Sequence, residues 1–547
     1  MKKWLALLLA AVMSLTAGSA LALEVSAPNE FPIVNEPVTL KVLTTMSLNV
    51  EDPDTNELTK YVEEKTGVHI EWQNLTQDGS EKISLMLASN SELPDVFMTS
   101  EISNEQVVAY GSQGILIPLN DLIDEQGTNM QGLFEYNDTI RTKISAPDGN
   151  IYGLPLYGEC YHCMGQQKMW INETWLDNLG LEKPETTDEL YEVLKAFKEQ
   201  DANGNGDPND EIPLVCYSGG WNSTPDMFIM NAFEYNSGEG NAWLKLEDDK
   251  IQAAFITDGW KEGLKYLNKL YSEGLMDPET FVTNQEQVYL LSSDSNGNRV
   301  GMFPGGVLSN GVDLTSERAL EYGGLSPIAG PDGLRQAVKY PEDLQLRYFI
   351  TSDCEYPEVA FKWGDMLMID IVSELKKGNY EGEILLDGVE GGTWVRAEEG
   401  EVGMDGRQAL YKWTEKWGEP QNSSWAQVQP HFATYEYKLF MASAVTTGGV
   451  DQERVLYETT LENQEPYWVD KMVPMLMLGR DDSMEAAEIK ATIVSYVNEA
   501  MAYFITGSWN FDSDWDNYVA QFDAIGLPRL LEIYQNGYEQ QYLSSEQ

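Results

Sequence analysis

The segment Asp201-Ala-Asn203-Gly-Asn205-Gly206-Asp207-Pro-Asn209-Asp210-Glu211-Ile-Pro carries oxygen side chains at its first, third and fifth positions and a glycine at its sixth. Alternate residues of such a loop turn toward one ion and the glycine permits the sharp bend, which is what calcium requires. The end of the loop departs from an EF-hand. Its twelfth residue is Ile212 rather than a bidentate Glu, and Pro213 to Cys216 reads as a strand, not an exiting helix. Asp210 or Glu211 is left to close the shell around Asp201, Asn203 and Asn205. The competing reading is a plain Asn/Gly turn behind a helix. Nothing nearby suggests a metal-activated water, so the expected ion is structural.

Four cysteines occur, Cys160, Cys163, Cys216 and Cys354, too few for a disulfide scaffold. In Cys160-Tyr-His162-Cys163 the pair suits a local bridge, a redox couple or half of a metal site, and the only other histidines are His69 and His431. A second chemistry is diffuse. Among 15 Trp and 28 Tyr, several stand in Gly- or Ser-rich loops: Gly219-Gly-Trp221-Asn222, Gly391-Gly-Thr-Trp394 and Ser423-Ser-Trp425. Aromatic faces beside Asn, Asp and Glu suit sugar rings, which stack through C–H groups while their hydroxyls bond to polar side chains. For any one tryptophan, packing in a core is the plainer role, and Trp175, Trp260 and Trp363 are assigned to it.

Other chemistries have no residues to carry them. The chain lacks the Gly-Lys-Ser/Thr of a phosphate loop, His-Glu-x-x-His, Gly-x-Ser-x-Gly, and Gly-x-Gly-x-x-Gly after a strand. No enzymatic activity is expected, and a glycoside hydrolase with two of the many carboxylates is the alternative. With 35 Lys+Arg against 89 Asp+Glu in 547 residues, the net charge of −54 excludes nucleic acid as a partner.

The elements that must position these groups follow from periodicity. Lys2 and Lys3, the apolar run Trp4 to Leu15 and Ala20-Leu-Ala22 read as a signal peptide over 1–22, followed by a linker over 23–37. From 38 to 99 strands and helices alternate: Val38 to Leu43, a helix from Glu57 to Lys65, Val68 to Trp72, a helix from Glu81 to Ala88, then Asp95 to Met98. That βαβαβ order predicts a parallel sheet whose strand C-terminal loops, 44–51, 75–80 and 99–103, line a cleft. Further on, Lys168 to Ile171 reads as a strand and Glu173 opens a helix stopped by Gly180. Thr186 and Glu189 form a capping box before Leu190, Val193, Leu194 and Phe197, spaced for one helix face. Helices are also predicted over Asp258 to Glu273, Pro357 to Ile369 and Ser483 to Ile505, with a last one from near Asp514 and long loops between about 376 and 480.

Several segments together resemble the extracellular solute-binding protein family 1 of ABC sugar importers, especially its large Gram-positive branch. They are Leu93-Pro-Asp-Val96, Trp170 to Leu181, Pro184 to Leu190, Asp201 to Pro213, Gly263 to Leu275, Gly330 to Gly333, Phe504 to Gly507 and Trp515 to Tyr518. The resemblance implies a type II periplasmic-binding fold, two α/β lobes joined by crossover strands with a ligand cleft between them. It further implies a monomeric, extracytoplasmic protein that passes a carbohydrate, as an oligosaccharide, to a permease with a separate ATPase; a peptide is the other ligand class. The crossovers are expected near 148–158 and 325–333. The first lobe then takes 38–150 and 325–375, the second 151–324 and 376–547. A calcium loop in alginate-binding relatives supports the ligand set above, with Asp207 giving its carbonyl. Members of this branch have a lipid-bearing cysteine directly after the leader, and Leu15 to Ala22 ends without one. Expected sugar contacts are Asn49, Glu51 and Glu101 from the first lobe, and Tyr157 and Glu159 beside the first crossover. Trp221, Phe303, Trp394 and Trp425 are expected from the second.

Overall fold

The computed structural model describes residues 23–543 except 48, 76–78, 378–383, 386–387, 415–419 and 447; the signal peptide expected over 1–22 and part of the 75–80 loop lie outside the described residues. The first sheet opens with β1 (Val38–Thr44), β2 (Val68–Asn74) and β3 (Val96–Met98), all parallel with β1 in the middle. Helices Glu57–Thr66 and Gly79–Ser89 make the crossovers, and the buried and exposed alternation of β1 gives way to a continuous buried run at its end. That run is what a strand covered on both faces needs. Next come β4 (Leu154–Gly158), β5 (Met169–Asn172), β6 (Ile212–Leu214), β7 (Val300–Pro304) and β8 (Tyr322–Gly324). A short β9 (Ala337–Val338) leads to β10 (Asp343–Ile350), and β11 (His431–Ala433) and β12 (Trp468–Val469) follow late in the chain.

The first sheet has the order β11-β4-β10-β3-β1-β2 and the second β8-β5-β7-β6; β9 and β12 pair separately and in parallel. Each sheet has its own core, one running from Val38 through Trp425 and Phe432, the other from Met169 through the helix Arg480–Thr506 to Tyr538. A smaller cluster around Trp394, Tyr411 and Phe440 fills the region expected to be loops. The Thr186/Glu189 capping box forms as expected, with Glu189 N donating to Thr186 Oγ1 at 3.1 Å and Thr186 N to Glu189 Oε2 at 3.2 Å. The last helix is instead two, Trp515–Ile525 and Leu527–Tyr538, because Gly526 takes φ 107° and Pro528 restarts the helix.

The boundaries between lobes differ from the sequence expectation. Leu154–Gly158 is not a crossing segment but a strand of the first sheet, held in register by pairs such as Asp343 with Gly158. The chain crosses over 159–168 and returns over 325–342. A third crossing follows β11, so Trp425 and 431–433, expected in the second lobe, belong to the first. Short local periodicity carries no information about which of two sheets a strand joins; the deciding contacts here are hundreds of residues apart.

Candidate functional site

Strand directions fix where the two sheets meet. β4 runs parallel to β1 and β3, so the link 159–168 leaves from the edge where their C-terminal ends lie. It arrives at Met169, which pairs with Pro304 at the C-terminal end of β7. The return over 325–342 starts from Gly324, near Trp170, and ends at Asp343, opposite Gly158. Both crossings therefore join the C-terminal edge of one sheet to that of the other, the place where open α/β sheets bind ligands.

On the first-lobe side, Thr45 Oγ1 and Thr99 Oγ1 hydrogen-bond at 2.7 Å, tying the ends of β1 and β3, and Glu101 N donates to Thr99 Oγ1 at 3.1 Å. Asn49 and Glu51 flank a one-residue bridge from Val50 to Gln421; Gln421 N donates to Asn49 O at 2.8 Å and Glu51 N to Gln421 O at 3.0 Å. The side chains of Glu51 and Glu101 are exposed and Asn49 is half-buried.

The floor is the start of the first crossing. Glu159 accepts from Tyr136 Oη at 2.5 Å, Tyr157 Oη at 2.6 Å and Tyr435 N at 2.9 Å, so one carboxylate joins three chain segments. Burial first, then these bonds to Glu159, push both tyrosine hydroxyls well above their ordinary range. The Tyr157 ring is fully buried, whereas Tyr136 is 47% exposed. Beyond it Tyr161 donates to Glu465 at 2.6 Å and its ring meets Tyr435, Tyr457 and Trp468 at 5.3 to 5.8 Å. Neither Tyr136 nor this aromatic group was among the sequence candidates. Their partners lie up to about 300 residues away, and only the density of tyrosines hinted at them.

On the second-lobe side, Trp221 is 40% exposed. Its carbonyl accepts from Gly306 N at 2.8 Å, and a methyl group at Gly306 would collide with the indole, so glycine is required for the ring to lie on that backbone. Asn222, at φ 57°, reaches Gln166 Oε1 at 3.1 Å and so ties this loop to the crossing. The other three aromatic candidates are corrected: Phe303, Trp394 and Trp425 are fully buried. Phe303 packs on Tyr322, Trp394 donates to Gly388 O, and Trp425 donates to Thr59 Oγ1 at 2.9 Å while stacking on Trp363 at 5.7 Å. Their Gly- and Ser-rich flanks serve tight packing around the ring rather than exposure of it.

The 201–211 loop is folded around its own oxygens. Asp201 Oδ2 accepts from Gly206 N at 3.0 Å, Asn203 Oδ1 from Asn205 N at 3.0 Å, and Asp210 from the amides of Asn203 and Asn205 at 3.1 and 2.9 Å. Asp207 turns its carboxylate to Asn209. Gly204 and Gly206, at φ 71° and 95°, supply the left-handed turns. Two oxygens are left over: Asp201 Oδ1 and Glu211 Oε2 are buried without a hydrogen-bond partner, and burial raises the pKa of Glu211. Buried carboxylate oxygens without donors fit a bound cation. Elsewhere, Cys160 and Cys163 form a disulfide. A hollow of about 1060 Å³ is lined by residues of the helices Glu173–Leu179 and Thr187–Glu199 and of the turn between them, most of them acidic.

The bacterial extracellular solute-binding protein model matches residues 50–365, and the chain belongs to that family. It is 28% identical over 537 residues to the fructooligosaccharide ABC transporter substrate-binding protein FusA of Streptococcus pneumoniae serotype 4, covering 93% of this chain and 91% of FusA. The solved structure of an EF-hand mutant of S. pneumoniae FusA with fructo-nystose superimposes with a TM-score of 0.71 at 26% identity, covering 93% of this chain and all, 100%, of that one. An HMO-binding ABC-transporter-associated solute-binding protein from Bifidobacterium longum infantis shares the fold, with a TM-score of 0.73 at 21% identity over 92% of this chain and 99% of that one. Among the described residues no helix is long and apolar enough to cross a membrane.

Proposed function

We propose that this chain is the extracytoplasmic binding subunit of an ABC importer, which takes up an oligosaccharide where the strand ends of its two sheets meet. A permease with a separate ATPase would receive the sugar, and the binding protein would act as a monomer that releases its ligand unchanged. The observation that carries this reading is Trp221, an indole seated on Gly306 at the C-terminal edge of the second sheet with two fifths of its surface open, 40%. One face of the ring is occupied by the protein and the rest is available for the C–H face of a sugar. Tyr136 offers a second exposed ring beside the crossing, while Asn49, Glu51 and Glu101 offer hydroxyl acceptors from the first lobe. FusA, which aligns along nearly the whole chain, is a fructooligosaccharide binder, and a structure of it holds kestose. Export on a cleaved leader and a structural calcium ion held by Asp201, Asn203, Asn205 and Asp210 or Glu211 complete the proposal. Its lobes comprise 38–158 with 343–433, and 169–324 with 470–543.

The test is a thermal-shift and calorimetry panel of kestose, nystose, milk, chitin and pectin oligosaccharides, with a peptide mixture alongside. A true ligand at a hundred times Kd should stabilise the fold by about 2.7 kcal/mol. Stabilisation by peptides and by none of the glycans would replace this reading with peptide transport, and release of reducing ends from a bound glycan would replace it with a hydrolase.

A further inference from the structure

The Cys160–Cys163 pair has neighbours that the sugar site does not use. Its turn begins the first crossing, with Cys163 N donating to Cys160 O at 2.9 Å, and His162 lies between the two cysteines, only 5% exposed. His162 Nε2 is 3.4 Å from Cys160 Sγ, and the ligand atoms of Cys160, His162 and Cys163 all lie within 4.8 Å of one another. A fourth donor comes from far along the chain: Glu453 Oε2, on the helix Gln452–Thr459, is 3.8 Å from the same Nε2. In a tetrahedral zinc site with ordinary bond lengths, sulfur and nitrogen stand about 3.6 Å apart and nitrogen and oxygen about 3.4 Å. The two spacings at His162 are already close to those, whereas the two sulfurs, bonded to each other in the disulfide, must move apart to about 3.8 Å once it is reduced.

The surrounding charge is suitable too. Lys438 Nζ lies 3.2 Å from Glu453 Oε2, and the buried Lys168 donates to His162 O at 2.9 Å and to Gly165 O. Two thiolates and one carboxylate would offset a divalent ion and one of these ammonium groups, and the nearby cations favour the thiolate form.

We propose that the reduced Cys160/Cys163 pair, with His162 Nε2 and one Glu453 oxygen, binds a single thiophilic divalent cation of the zinc and cadmium type. The disulfide is first opened by an external dithiol, whose two electrons and two protons give two thiols while the reductant leaves as its own disulfide. Metal binding then displaces the two thiol protons and forms two metal–sulfur bonds. The ion would join the first crossing to the helix Gln452–Thr459, replacing a bridge internal to one turn by one between distant segments.

The experiment uses the full mature chain in calcium-saturated buffer, so that the 201–211 loop does not compete. After anaerobic reduction and desalting, one equivalent of cadmium should bind, with an ultraviolet sulfur-to-cadmium charge-transfer band. Zinc should likewise survive gel filtration and slow the alkylation of Cys160 and Cys163, with Cys216 and Cys354 as internal references. Cys163→Ser should abolish the band, and Glu453→Gln should weaken binding at least about tenfold; circular dichroism confirms that each variant is folded. No retained metal in the reduced protein, equal binding by the oxidised protein, or unchanged binding in either variant would overturn the proposal. If Glu453→Gln fails to fold, the alkylation contrast between zinc-loaded and metal-free wild type decides alone.

Discussion

Both cores bury tryptophans, Trp175, Trp243 and Trp260 among them in the second lobe, but the two lobes place the tryptophans of their Gly- and Ser-rich loops differently. In the first, Trp72, Trp363 and Trp425 meet one another at 5.2 to 6.5 Å around a shared centre, and the Trp425 indole hydrogen is bonded to Thr59. In the second, Trp221 stops at the sheet's edge with Gly306 behind it and solvent in front. Rings from similar Gly- and Ser-rich segments thus end in opposite roles. What separates them is whether a distant segment brings a second layer of apolar side chains over the ring.

Trp425→Ala is expected to show the largest effect, a loss of about 3 to 5 kcal/mol from cavity formation in the first core. Thermal denaturation measures it, and a variant of near-native stability would make Trp425 dispensable and erase the contrast. Removing calcium should come next and act on the second lobe. At a hundred to a thousand times Kd, the ion stabilises the fold by about 2.7 to 4 kcal/mol, so EDTA should lower the melting temperature and Asp201→Ala should remove that response. An identical melting curve in metal-free buffer would leave the loop a simple turn.

Acid should weaken the first lobe and its junction with the crossing by a smaller amount. Burial depresses His431, on β11, to about 3 and His162 to about 4, against an ordinary 6.5. The stability they contribute is complete above pH 6.5 and is lost as pH falls from there through these folded values. At pH 5.5 each should cost about 1.4 kcal/mol. Asp365 caps the helix Thr128–Tyr136 and works in the opposite direction. Burial raises it from 3.8 to about 6, so its contribution is present at low pH and is lost as pH rises through 6. Replacing His431 by Phe should flatten the acid limb of a melting-temperature profile; an unchanged limb would place the titration elsewhere.

The smallest effect on stability is expected at Trp221, together with a clear one on affinity. Trp221→Ala should melt like the wild type and bind its sugar about tenfold more weakly, an amount equal to the stacking gain of about 1.4 kcal/mol. Gly306→Ala, which displaces the ring without deleting it, should weaken affinity in the same direction in calorimetry. Strong destabilisation with unaltered affinity would return Trp221 to the company of Trp425.

Much of this was legible because it is local. The Thr186/Glu189 box, the strand alternation from Val38 and the Asn/Gly loop with its carboxylates each depend on residues a few positions apart. The burial of Trp425, the Tyr136–Glu159–Tyr435 junction and the approach of Glu453 to His162 do not. Each pairs segments separated by long stretches of chain, and periodicity within a window has no means of specifying such partners. The lobe boundary was missed for the same reason, since β11 resembles any short apolar strand until its pairing with β4 is known.

The position of β10 between β3 and β4 has a consequence for synthesis. The middle of the first sheet is missing until residues 343–350 exist, well after the strands of the second lobe have been made. Until then β3 and β4 each have an open edge able to pair with another chain. Closing them needs contacts across about half the polypeptide, a topology that slows folding. The same topology makes products truncated before residue 350 prone to aggregate rather than to form a smaller working lobe.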